Sequence, residues 1–172
     1  EDQVDLVMGT FSKSFASLGG FIAGPRSVLD YLRHHARAMI FSASVTPASV
    51  AAALASLDII ESEPQLRERL RAISHKMRSG FRAQGLEVGS GEGTPIVPIF
   101  IGDRMKTMQV WRKILDRGVF VNAIVVPAVQ PGRDLLRTSY MATHQDEQLD
   151  TILRVVDEVR QEVGLELVPK AN

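Results

Sequence analysis

The stretch DLVMGTFSKSFASLGGFIAG, residues 5–24, decides how the rest of the chain is read. Val4 to Gly9 is a short apolar run closed by a glycine, the pattern of a buried strand. Thr10 to Gly20 is a loop of small and polar residues. Phe21 to Gly24 forms a second strand, with Gly19 and Gly20 as the turn before it.

The loop between these strands has three chemical readings. It partly fits the phosphate-loop pattern G-x-x-x-x-G-K-[ST], but Ser12 stands where the second glycine belongs and the first is misplaced. A lysine after a buried strand can instead sit partly desolvated, which lowers its pKa and frees the amine to attack a carbonyl. Thr10 and Ser12 then flank Lys13 with hydroxyl donors for a phosphate. Pyridoxal phosphate needs both an amine for its aldehyde and donors for its phosphate. In the third reading Lys13 is a solvated side chain in a Ser-rich turn. Spacing alone leaves the three open.

Downstream, Pro25 suits the first turn of a helix over about 26–37. Thr46 before Pro47 is an N-cap pair that opens an Ala-rich helix. Pro64 breaks that helix, with Ser62 as a candidate cap for the next. Leu66, Leu70, Ile73, Met77 and Phe81 recur at spacings of four and three, a one-face stripe that predicts core packing.

Residues 94–101 (TPIVPIFI) are strand-like, and Pro95 and Pro98 suggest an edge. A helix over 105–117 is opened by Asp103 and stopped by Gly118. Residues 119–122 and 135–140 are two more strands. The last helix opens at Thr143 to Asp146, with Thr143 as cap and His144 in its first turn, and ends near Gly164. The pattern predicts an α/β or α+β unit from about residue 48 onward. Residues 1–46 hold only two strands and one helix, whose edges stay exposed unless other strands complete the sheet.

Composition bounds the function. Lys plus Arg and Asp plus Glu are both 20 in 172 residues, for a formal net charge of +0. Nucleic acid and anionic membranes are bound by basic surfaces, so neither is an expected partner. With Cys 0, a disulfide framework, a thiolate metal site and a thiol nucleophile are excluded. No apolar run approaches the ~20 residues of a membrane span. The histidines form no convincing metal pattern with carboxylates, so no metal is expected. The start at Glu1, almost at once in a strand, suggests a piece of a longer protein.

Three segments together resemble one family. DLVMGTFSKSFASLGGFIAG is similar to the lysine segment of the α-oxoamine synthases, IFSASVTPA (40–48) to the segment a subunit inserts into its partner's active site, and GVFVNAIVVPAVQPGRDLLRTSYMATH (118–144) to the C-terminal signature. Their order and spacing are family-like, and the likeness is strongest to serine palmitoyltransferase and 8-amino-7-oxononanoate synthase. The resemblance implies an α/β fold: the C-terminal portion of a type I pyridoxal-phosphate-dependent transferase. Residues 1–46 would be the tail of the large cofactor-binding domain. Residues 47–172 would be a linking helix and the small C-terminal domain.

The resemblance also implies an activity, the condensation of an amino acid (serine foremost) with an acyl-CoA, with decarboxylation to an amino ketone. Lys13 would carry pyridoxal phosphate and act as the base at the substrate Cα. Thr10 and Ser12 would contact the cofactor phosphate. Ser42 and Ala43 would reach the phosphate in the neighbouring subunit of a cytoplasmic homodimer. Arg137 would bind the substrate carboxylate, which the guanidinium fork meets bidentately. The family's upstream half supplies the aspartate that pairs with the pyridine nitrogen, and no residue here matches it. This stretch alone is therefore expected to be inactive. The rival expectations are 8-amino-7-oxononanoate synthase or 2-amino-3-ketobutyrate CoA ligase activity, or a non-catalytic dimerisation or regulatory module.

Overall fold

A computed structural model describes residues 3–165. The chain divides after Pro64 into two compact units.

In the first unit, β1 (Val7–Thr10) and β2 (Gly20–Ala23) pair antiparallel, with Val7 opposite Ala23 and Thr10 opposite Gly20. Helices α1 (Arg26–His35), α2 (Arg37–Ile40) and α3 (Pro47–Ser62) follow. The break between α1 and α2 is at Ala36, which is extended at ψ 106°. Thr46 caps α3 as predicted, its side chain accepting from the Ser49 N–H.

The expectation of a buried first strand is not met. β1 and β2 are exposed along nearly their whole length, because among the described residues each has only the other as a strand neighbour. Ala53 is the one buried apolar residue of this unit among those described, while Met8, Ile22, Phe41, Val50 and Leu54 are each at least half exposed.

The second unit carries the core. Helix α4 (Pro64–Ala83) leads into β3 (Glu87–Val88) and β4 (Ile96–Phe100). Then come α5 (Arg104–Asp116), β5 (Asn122–Ile124), β6 (Leu135–Ser139) and α6 (Asp146–Val163). The sheet has the order β3-β4-β6-β5 with every pair antiparallel. Ile73, Met77 and Phe81 of the predicted stripe are buried against Val97, Ile99, Leu136, Val110, Ile114 and Val159. Leu66, at the start of the stripe, remains exposed. Core residues alternate along β4 and β6, so the helices cover one face of the sheet and leave the other open.

Three local expectations are corrected. β4 is an interior strand despite Pro98. The Pro98 carbonyl accepts from the Gly89 N–H, so its ring nitrogen lies on that same side of β4, just past the end of two-residue β3, where no ladder bond is lost. Ser62 does not cap α4, since its hydroxyl donates back to the Asp58 carbonyl within α3. The cap of α6 is Gln145, whose N–H donates to Gln148 Oε1, and His144 precedes the helix with Nδ1 accepting from the Met141 N–H. Asp103 and Gly118 bound α5 as expected, and Gly164 ends α6 in the left-handed region at φ 62°.

Candidate active site

The lysine loop is folded back on itself. The Phe11 N–H donates to the Gly19 carbonyl at 2.9 Å, and the Ser17 N–H to the Phe11 carbonyl at 2.9 Å. Phe11 packs edge-on to Phe15, 5.3 Å between centroids, and lies 5.9 Å from Phe21. Two hydroxyls tie the loop to α3: Ser17 Oγ donates to the Ser49 carbonyl (2.6 Å) and Ser56 Oγ to the Phe15 carbonyl (3.0 Å). Gly20 closes the base of the loop. A Cβ there would stand 2.4 Å from the Gly9 carbonyl oxygen, so only glycine lets the strands meet.

These restraints present three polar groups on one loop. Thr10 Oγ1 and Ser12 Oγ lie 3.0 Å apart, and the Ser12 N–H donates to Thr10 Oγ1. Lys13 follows, exposed, its carbonyl accepting from the Ala16 N–H; its amine has no polar partner among the described residues. Ala16 takes φ 46° to turn the chain. Loop and helix border an open cleft of about 610 Å³ lined by Ser12, Ala16, Ser17 and Ser49.

Ser42 and Ala43 lie in the exposed segment between α2 and α3. Ser42 Oγ donates to the Ala38 carbonyl, finishing α2. No hydrogen bond joins either residue to the lysine loop among the described residues.

Arg137 belongs to the other unit. It sits mid-way along β6 on the open face of the sheet, exposed, and no polar side chain pairs with it among the described residues. In register with it stand Pro98 of β4 and Asn122 of β5. Asn122 reads in the sequence only as the end of a strand. Its place beside Arg137 depends on the pairing of β5 with β6, which local pattern does not carry. Ser17 and Ser56, the anchors of the loop, were equally unmarked, because each bonds across a separation of more than thirty residues.

His144 reads as structural in the sequence, and its Nδ1 is engaged with the Met141 backbone. Trp111 packs against the core and donates to the Val121 carbonyl at 3.0 Å. Among the described residues no cluster of three His, Asp or Glu side chains forms a metal site, and no helix is long and apolar enough to cross a membrane.

Residues 1–156 match the family model described as aminotransferase class I and II. The chain belongs to that family. It is 47% identical over 165 residues to a serine palmitoyltransferase of Sphingobacterium spiritivorum, covering 96% of this chain and 41% of that one. It is 44% identical over 153 residues to a putative 8-amino-7-oxononanoate synthase 2 of Mycobacterium tuberculosis, covering 89% of this chain and 20% of that one. A solved structure of SPT with PLP internal aldimine superimposes with TM-score 0.90 at 32% identity, over 96% of this chain and 42% of that chain. The Sphingomonas wittichii serine palmitoyltransferase gives 0.88 at 32% identity, over 95% and 41%. The fold is thus a part of the serine palmitoyltransferase fold. The chain spans about two-fifths of the length of the curated serine palmitoyltransferases it matches.

Proposed function

We propose that the whole protein is a pyridoxal-phosphate-dependent C-acyltransferase of the α-oxoamine synthase type. It joins the Cα of an amino acid, serine foremost, to the acyl carbon of an acyl-CoA, with loss of CO2 and of the coenzyme A thiol. The observation that carries this reading is the lysine loop: an amine without a polar partner among the described residues, beside two adjacent hydroxyls, on a turn pinned at both ends and to α3.

The donor set fits the cofactor. The Thr10 and Ser12 hydroxyls offer neutral donors to a phosphate, and Lys13 offers the amine for an aldehyde. When bound, pyridoxal phosphate supplies a carbonyl for that amine and a ring that accepts electrons from the substrate Cα. Lys13 would hold the cofactor covalently and would take the proton from the substrate Cα. Thr10 and Ser12 fix the phosphate. Arg137 holds the substrate carboxylate, its fork matching the two oxygens. Ser42 and Ala43 serve the phosphate of a second subunit in a cytoplasmic homodimer. Residues 1–46 belong to the cofactor-binding domain, and 47–172 to the linking helix α3 and the small C-terminal domain.

The second reading, 8-amino-7-oxononanoate synthase activity, is favoured by the 44% identity to a putative enzyme of that name. One experiment separates enzyme from non-catalytic module. The full-length protein is incubated with pyridoxal phosphate, reduced with borohydride and mapped by peptide. A pyridoxyl group on Lys13 is expected; bound cofactor with Lys13 unmodified, or no binding, overturns the proposal. Product formation from serine with a palmitoyl thioester, against alanine with a pimeloyl thioester, then separates the two activities.

A further inference from the structure

Three features point to Asn122. First, the register β5–β6 places Asn122 directly opposite Arg137. Directly opposite residues of an antiparallel pair share a face, with Cβ atoms roughly 4.5–5.5 Å apart. Second, the face they share is the open one. Ala123 and Leu136, the next pair along, turn to the core, so Asn122 and Arg137 turn away from it. Third, the other flank of Arg137 is Pro98, which carries no side-chain donor. Neither the Asn122 amide nor the Arg137 guanidinium has a polar side-chain partner among the described residues.

A carboxylate has about four lone-pair positions, and a guanidinium fork engages two of them. An amide held beside the fork adds a neutral N–H donor without adding charge. It also brings no carboxylate of its own, which would compete for the arginine. We infer that Asn122 is a second carboxylate-binding residue, donating from Nδ2 to the substrate carboxylate held by Arg137. This rests on the reading of Arg137 given above. It assigns to the site an α-amino acid carboxylate gripped by one charged and one neutral donor.

The test uses the full-length, cofactor-loaded protein and calorimetric binding rather than turnover. The probes are L-serine, or L-alanine if wild type binds it more tightly, and the matching amine that lacks the carboxylate, ethanolamine or ethylamine. The variants are Asn122→Ala, Asn122→Asp and Arg137→Ala. Asn122→Ala is expected to weaken amino-acid binding about tenfold, the size of one hydrogen bond to a charged group, and to leave amine binding unchanged. Asn122→Asp, of nearly the same volume, is expected to weaken it further by like-charge repulsion while cofactor stoichiometry stays at wild type. If Arg137→Ala weakens amino-acid binding and both Asn122 variants match wild type, the inference about Asn122 is overturned and the arginine reading stands. If Arg137→Ala leaves amino-acid binding unchanged, the arginine reading fails and this inference with it. Equal losses for amino acid and amine in the Asn122 variants mark a purely structural role and also overturn it.

Discussion

Arg78 of α4 reaches Gly91 from a site only 2% exposed, its Nη2 donating to the Gly91 carbonyl at 2.8 Å. The same guanidinium donates to the carbonyls of Gly89 and Ile96. A buried cation is thus satisfied by backbone oxygens and clamps the turn between β3 and β4. Lysine cannot copy the fork, and a methionine fills the volume but leaves three carbonyls without that donor. Arg78→Met is expected to lower unfolding stability by about 2–4 kcal/mol, and Arg78→Lys by less. Urea denaturation of wild type and variants measures it, with faster amide exchange over residues 89–96 as the local signature. Unchanged stability in both variants would count against the clamp.

Tyr140 has the opposite character. It is buried, and no group meets its hydroxyl in good hydrogen-bond geometry among the described residues, although the Thr138 side chain lies near enough to oppose the rise in pKa. Burial pushes its pKa well above the ordinary tyrosine value, because the phenolate would lose its water. A group whose folded pKa is raised keeps its contribution below the unfolded pKa. It loses that contribution as pH rises above it, here from near 10 upward. Stability is therefore expected to fall in alkali more steeply in wild type than in Tyr140→Phe. At neutral pH that variant is expected to be as stable as wild type or more so, since the lost hydroxyl makes no well-formed hydrogen bond among the described residues. Thermal melts from pH 7 to 11 decide it, and a neutral-pH loss of more than about 1 kcal/mol would reveal a hidden partner for the hydroxyl.

In the lysine loop the three polar side chains make separable predictions for the full-length protein. Lys13→Ala is expected to abolish borohydride trapping of pyridoxal phosphate while leaving measurable non-covalent binding through the phosphate donors. Thr10→Val and Ser12→Ala are expected to keep trapping but weaken cofactor affinity about tenfold each. Because Thr10 and Ser12 already touch each other, the double variant is expected to lose less than the product of the two. Fluorescence titration of the cofactor reads all four proteins. Full affinity in both single variants would remove the phosphate role from these hydroxyls.

What the sequence made legible is local or chemical. Thr46-Pro47, Asp103 and Gly118 act through atoms a few residues away, so their caps and stops were readable from order alone. Lys13 was singled out by the resemblance of residues 5–24 to a family segment, because spacing alone also admits a solvated lysine or a phosphate loop. The interior position of β4 was not, since Pro98 argues for an edge until β3 is known to stop after two residues. The cap of α6 went to Gln145 rather than Thr143 because the glutamine pair Gln145 and Gln148 forms the box instead. Asn122 was silent because its neighbour Arg137 lies fifteen positions away across a strand pairing.

The two units are expected to differ in stability when the 172-residue chain is taken by itself. Burial of apolar side chains is the main term that offsets chain entropy. Among described residues the segment up to Pro64 buries only Ala53 of its apolar side chains. The rest of the chain buries Phe81, Met77, Ile73, Ile114, Leu149 and others below 2% exposure. The loop's anchors Ser17 and Ser56 are hydrogen bonds to α3, worth about 1 kcal/mol each, too little to replace a core. Amide exchange over residues 3–64 is therefore expected to be faster by orders of magnitude than in α4, β4, α5, β6 and α6. Pairing β1 and β2 with further strands is expected to slow it. Equal protection across both segments in the isolated chain would mean that the first unit is held by something other than its own packing.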